Sequence, residues 1–149
     1  MNNGMLILFI DFETFYSREY SLKKMPTMQY IRDSRFRVLG ASVAIGQNKP
    51  SWLEPEPLRA FLHKVPWDRV TVVAHNAAFD GAILEEHYGF TPMQYECTML
   101  QARLLISQGL LDPEQTTSLG ALAPPVGFAK GDLDAALAQG DLAAYANLD

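Results

Sequence analysis

Val70-Thr71-Val72-Val73-Ala74-His75-Asn76-Ala77-Ala78-Phe79-Asp80 is the stretch that decides the architecture. Its first five residues form a short, mostly apolar and β-branched run, the pattern of a buried strand. Asn76 then stands where a helix N-cap is expected, and residues 77–88 read as a helix stopped by Gly89 in the left-handed conformation. A buried strand that runs straight into a helix predicts an α/β sheet.

Elements on either side extend the alternation. Residues 5–10 form another short apolar run, a buried strand leading directly into Asp11. Residues 36–45 and Ser51–Leu53 predict two further strands, joined by Gly46-Gln47-Asn48-Lys49-Pro50, which has turn chemistry. Residues 57–63 predict a short helix with proline near its first turn. A strand near Gln94–Cys97 leads into a helix over residues 98–106. Residues 110–140 are interrupted by Pro113, Pro124, Pro125, Gly127 and Gly131, which predicts short helices and loops, and Asp141 opens a final helix.

Composition bounds the answer. With 149 residues, 48% of them hydrophobic, the chain is expected to form one domain over 1–149 around one core. No run approaches the roughly 18–20 apolar residues that span a bilayer, so no membrane partner is expected. Met1-Asn2-Asn3-Gly4 lacks the basic segment of a signal peptide. A single cysteine, Cys97, excludes an internal disulfide framework and a Cys-based zinc site, and the expected location is cytoplasmic.

The net charge of −5 is unevenly distributed. Residues 1–50 carry seven basic and four acidic side chains, a balance of +3, leaving five basic and thirteen acidic residues, −8, in the remainder. An acidic protein still binds a polyanion when divalent metals stand between its carboxylates and the phosphate. The basic excess within residues 18–37, Lys23 and Lys24 included, is the candidate for backbone contact, with a solvated charged face as the alternative.

Three carboxylate motifs carry the chemistry. Asp11 and Glu13, two apart on a strand, present their side chains on one face at its end. Asp80 falls in the first turn of the helix headed by Asn76, beside the apolar face of Phe79, Ile83 and Leu84. Tyr145 and Asp149, four apart on the final helix, project together. Hard oxygen donors of this kind suit Mg²⁺ or Mn²⁺. Two such ions about 3.5–4 Å apart activate a water and stabilise the leaving oxygen of a phosphodiester. Taken singly, Asp-x-Glu and Tyr-x-x-x-Asp are weak signals, readable as a solvated strand end and an amphipathic helix face; the information lies in the three motifs in order.

In that order, Asp11-Phe12-Glu13-Thr14, the segment ending Asn76-Ala77-Ala78-Phe79-Asp80 and Tyr145-Ala146-Asn147-Leu148-Asp149 resemble the 3′→5′ exonucleases of the DEDD class in the branch carrying Tyr. The resemblance covers nearly the whole chain. It is strongest to the exonuclease domain of family A DNA polymerases of phage and prophage type, with Ser21-Leu22-Lys23-Lys24, Tyr30-Ile31-Arg32-Asp33, Cys97-Thr98-Met99-Leu100 and Ser118-Leu119-Gly120-Ala121-Leu122 as further matching segments. It implies a ribonuclease H-like fold, a mixed five-stranded sheet with helices on both faces. It also implies a two-metal site: Asp11 bridging both ions, Glu13 and Asp149 completing the tighter site, Asp80 holding the second ion largely through water, and Tyr145 orienting the attacking water. Asn76 would help place the backbone around the scissile phosphate, with Phe12, Thr14 and Phe79 beside it at the substrate. The implied substrate is a single-stranded or frayed DNA 3′ end, with a polymerase domain in the parent protein and a bacterial host cytoplasm if the chain is phage-encoded. The final helix then reads as truncated at Asp149. Ribonuclease D-like enzymes share the Tyr branch, so the same chemistry on RNA is an alternative, as is a binding module without strong catalysis.

The remaining conspicuous residues have plainer readings. His75 is expected to make a structural hydrogen bond, and His63 and His87 to lie on the surface or a helix face. Trp52 and Trp67 are expected to pack, and Cys97 to be a small buried apolar residue. For Phe15 and Tyr16, stacking on terminal bases and core packing are equally open.

Overall fold

β1 (Leu6–Thr14) is the middle strand of a five-stranded mixed sheet in the order β3-β2-β1-β4-β5. In this computed structural model, residues 4–114 and 116–122 are described; the expected final helix from Asp141, with Tyr145 and Asp149, lies outside them. β2 (Val38–Ile45) runs antiparallel to β1, and β3 (Ser51–Leu53) antiparallel to β2. β4 (Val70–Ala74) lies parallel to β1 on its other side, and β5 (Gln94–Cys97) forms the far edge. The expected mixed five-stranded α/β architecture is the one observed.

The helices are α1 (Thr27–Arg32), α2 (Pro55–Leu62), α3 (Ala77–Ile83), α4 (Thr98–Ser107) and α5 (Leu119–Leu122). After α3 the chain makes a π-turn over Leu84–Tyr88 before Gly89, at φ 74°, ends it in the left-handed region. The expected helix over 77–88 is therefore present but changes winding midway. The chain divides after Glu96 into two compact units. In the second, α4 occupies nearly the span read from the sequence; among the described residues no helix is long and apolar enough to cross a membrane.

Alternation along β1 sets the core of the first unit. Leu8, Ile10 and Phe12 are buried on one face, against Ile31, Leu58, Leu62, Ile83 and Leu84. On the other face Ile7 and Phe9 remain 43% and 42% exposed, so β1 is buried on one side rather than on both. The strand also runs four residues beyond the apolar run, because β2 pairs with it from Leu8↔Ile45 to Thr14↔Val38. Of β1, β4 pairs with Leu6 to Phe9 alone. Asp11 and Glu13 thus lie on the part of β1 beyond the β4 pairing, where β4 turns into α3.

α1 has no clear signal in the sequence and forms through tertiary packing. Tyr30, almost wholly buried, stacks on Tyr20 with ring centroids 4.5 Å apart, and the Tyr20 hydroxyl donates to the Tyr30 carbonyl at 2.7 Å. Desolvation pushes the Tyr20 hydroxyl up to about 12, so it remains a donor at any physiological pH.

Candidate active site

The turn from β4 into α3 brings the first and second motifs together. Asn76 takes a left-handed conformation, φ 67° and ψ 57°, which Asn tolerates better than most side chains. It occupies the expected N-cap position, but its side chain makes no capping bond; the backbone turn, with the Phe79 amide donating to the Asn76 carbonyl at 2.9 Å, starts the helix instead. This reversal delivers Asp80, 2% exposed, to β1, where its Oδ1 accepts the Phe12 amide at 3.0 Å. The carboxylate thereby satisfies a β1 donor beyond the last residue that pairs with β4.

Burial pushes the Asp80 carboxyl up to about 8; the Phe12 amide pulls it back, and the negative charges of Asp11 and Glu13 push it further up. Asp11 is exposed and Glu13 half-buried. Three carboxylates thus act on one another across the β1–α3 junction. Among the described residues, no three His, Cys, Asp or Glu side chains converge into a group that could hold a metal ion by themselves. The oxygen-only donor set and the mutual repulsion suit a divalent cation; the expected fourth carboxylate, Asp149, and Tyr145 lie outside the described residues.

The structure places the expected substrate-side residues differently from one another. The Phe12 ring lies in the core, stacked 5.7 Å from Tyr88, and only its amide faces Asp80. Thr14 Oγ1 is 2.8 Å from the Tyr30 hydroxyl, which itself donates to the Phe15 carbonyl at 2.7 Å. The single Tyr30 proton being so used, Thr14 is the donor of that pair. Phe79 is half-buried and packs 6.3 Å from Tyr30. The Phe15 ring stacks on Tyr20 with Arg37 4.4 Å above it, whereas Tyr16 is 46% exposed.

The basic segment divides into two classes. Arg32 makes a bidentate pair with Glu86 at 2.7 and 3.0 Å. Arg35 does the same with Asp33, holding that carboxyl down at about 2, and lies 4.6 Å over Tyr20. Lys23 and Lys24 are exposed. Tyr30 and His87 are residues whose structural roles have no signature in the sequence. His87 Nε2 lies 2.8 Å from the Ile31 carbonyl and its ring stacks 4.3 Å from Phe36, so it joins the π-turn to α1. Trp67 packs as expected, on Phe90, donating to the Leu62 carbonyl. Cys97 is only half-buried, at the head of α4.

No family model matches the chain, and no curated protein matches it in sequence. Solved structures do. NrnC of Brucella melitensis with bound Mg²⁺ is 20% identical with a TM-score of 0.60, over 95% of this chain and 65% of that one. The same protein bound to pGG matches over the same shares at 20% identity and a TM-score of 0.58. An ExoI/SSB-Ct complex matches 97% of this chain and 42% of its own at 12% identity and a TM-score of 0.52. The chain therefore spans about two thirds or less of the length of these structures. At such identities the likeness is one of fold, and the chain shares with these structures the expected ribonuclease H-like mixed five-stranded α/β fold.

Proposed function

We propose that the chain is a divalent-metal-dependent 3′→5′ exonuclease acting on single-stranded or frayed DNA ends. The observation that carries this reading is the buried Asp80 carboxylate, tied to the Phe12 amide and set against the charges of Asp11 and Glu13. A carboxylate held in that position has a cost that bound cations would offset. Mg²⁺ in the NrnC structure and the match of all three motifs to the DEDD class support it.

Asp11, Glu13, Asp80 and Asp149 would hold two ions, Mg²⁺ or Mn²⁺. Bound there, such ions supply Lewis-acid stabilisation at the phosphate and an acidified water. Tyr145 would orient the water that attacks the scissile phosphorus; the 3′ oxygen of the preceding nucleotide leaves, and a nucleoside 5′-monophosphate is released. Asn76, with its left-handed backbone, would shape the turn around that phosphate, and exposed Lys23 and Lys24 would contact the strand further along. The resemblance to family A polymerase exonuclease domains favours DNA and a polymerase domain in the parent protein. A second reading, the same hydrolysis on short oligoribonucleotides, is favoured by the NrnC structure bound to pGG.

The test is nucleotide release from 5′-labelled single-stranded DNA, a mismatched duplex and RNA, in Mg²⁺ and in excess EDTA. Metal-dependent shortening from the 3′ end is expected, fastest on DNA. A preference for RNA would select the second reading, and release that persists in EDTA would overturn both.

A further inference from the structure

We propose that Trp52 is a base-stacking platform of this site, receiving a nucleobase of the strand next to the scissile phosphate; the proposal deepens the nuclease reading and rests on it. Directly paired residues of neighbouring strands point to the same face. Asp11 pairs with Ser42 and Ser42 with Trp52, so the indole projects on the face of the sheet that bears the first motif. Glu13 pairs with Gly40, the next position along that face.

Gly40 has no side chain to fill the space opposite Glu13, and Trp52 fills it. A Cβ at Gly40 would overlap the six-membered ring of Trp52 and lie 2.6 Å from the Leu53 carbonyl oxygen. The indole therefore lies against the backbone of Gly40, across the strand pair from Glu13, and half of the arrangement is set by the absence of a side chain. As a residue Trp52 is half-buried, on the edge strand of the sheet. On the same face Ile7 and Phe9 extend an apolar surface behind the carboxylates.

An indole beside a carboxylate pair suits a strand whose phosphate lies at the acids and whose base lies at the ring. Stacking of this kind accepts any of the bases, because every base offers a π-face. It thus assigns Trp52 to holding the strand and leaves base identity unread.

The experiment uses the whole chain carrying Trp67→Phe, which makes Trp52 its only indole. Its fluorescence is followed on titration with the dinucleotide pdAdA and with the analogue whose 3′ residue is abasic, with Ca²⁺ in place of Mg²⁺ to slow turnover. We expect quenching by pdAdA and binding roughly 5- to 100-fold tighter than to the abasic analogue. In Trp52→Leu that preference should vanish, and in Trp52→Phe most of it should remain. Unchanged fluorescence, or a preference that survives in Trp52→Leu, overturns the platform. Should Trp52→Leu fail to fold by circular dichroism, the quenching comparison decides alone. Hydrolysis of the same dinucleotide in Mg²⁺ is scored separately: its presence without base preference overturns only the platform, and its absence with base-dependent quenching overturns only the catalytic reading.

Discussion

The Phe12 amide and the Asp80 carboxylate meet at 3.0 Å across 68 residues of sequence, and this bond fixes the head of α3 to β1. It gives Asp80 a stable place in the apolar core while holding it beside two like charges.

A pH dependence follows with a definite sign. The Asp80 carboxyl is raised from 3.8 to about 8, so the folded chain holds a proton that the unfolded chain has lost between those values. Its contribution to stability is therefore greatest below about pH 4 and falls as pH rises to about 8. Asp80→Asn keeps an acceptor for Phe12 and removes the titration. In EDTA, the variant should gain on the wild type by on the order of a few kcal/mol between pH 4 and pH 8. Urea denaturation at several pH values measures it; parallel curves for the two proteins would refute the assignment. Adding Mg²⁺ at pH 8 should stabilise the wild type and leave the variant nearly unmoved.

Asp11 is exposed, so Asp11→Ala should fold normally and lose nucleotide release altogether, since the proposed site depends on it for both ions. Tyr145→Phe should slow release by about 10–10³-fold with metal affinity unchanged, as for other positioned groups. Rates and Mg²⁺ titrations of both variants test the division of roles.

Tyr30→Phe removes a hydroxyl that joins Thr14 to the Phe15 carbonyl, while preserving the ring stacked on Tyr20. It should cost about 0.5–1.5 kcal/mol through two part-buried hydrogen bonds lost, and slow hydrolysis through a looser end of β1. A thermal melt and the turnover rate, read together, show whether the effect reaches the site.

Lys23→Gln with Lys24→Gln should weaken DNA binding and flatten its dependence on salt by about one unit of slope for each phosphate no longer neutralised. Arg32 and Arg35, already paired with Glu86 and Asp33, should leave that slope nearly unchanged when neutralised. Binding measured between low and physiological salt separates the two groups.

The strands Ser51–Leu53 and Val70–Ala74 are legible in the sequence residue for residue, and Gln94–Cys97 in position, because each is a short run whose ends coincide with turn or helix signals. α1 is not. It has six residues, too few for a helical period to register, and it exists because Tyr30 and Ile31 are claimed by the core. At the site, the order of Asp11, Glu13 and Asp80 can be read, but the bond from Phe12 to Asp80 cannot. It depends on where β4 stops pairing, a property of the sheet and not of either motif. The indole over Gly40 is of the same kind, since nothing in the local sequence links a glycine in one strand to a tryptophan in the next.

The π-turn at Leu84–Tyr88 makes the length of this segment a packing variable. A π-turn contains one residue more than the α-helical path it replaces. Deleting a single residue there would let the segment wind as regular helix between the same ends, so the residues on either side would keep their faces. What the deletion would disturb is inside the turn, where Tyr88 stacks on Phe12, whose amide holds Asp80, and His87 reaches the Ile31 carbonyl. A shorter segment would thus be felt beside the carboxylates and not along the rest of the chain, and natural variation in chain length should spare His87 and Tyr88.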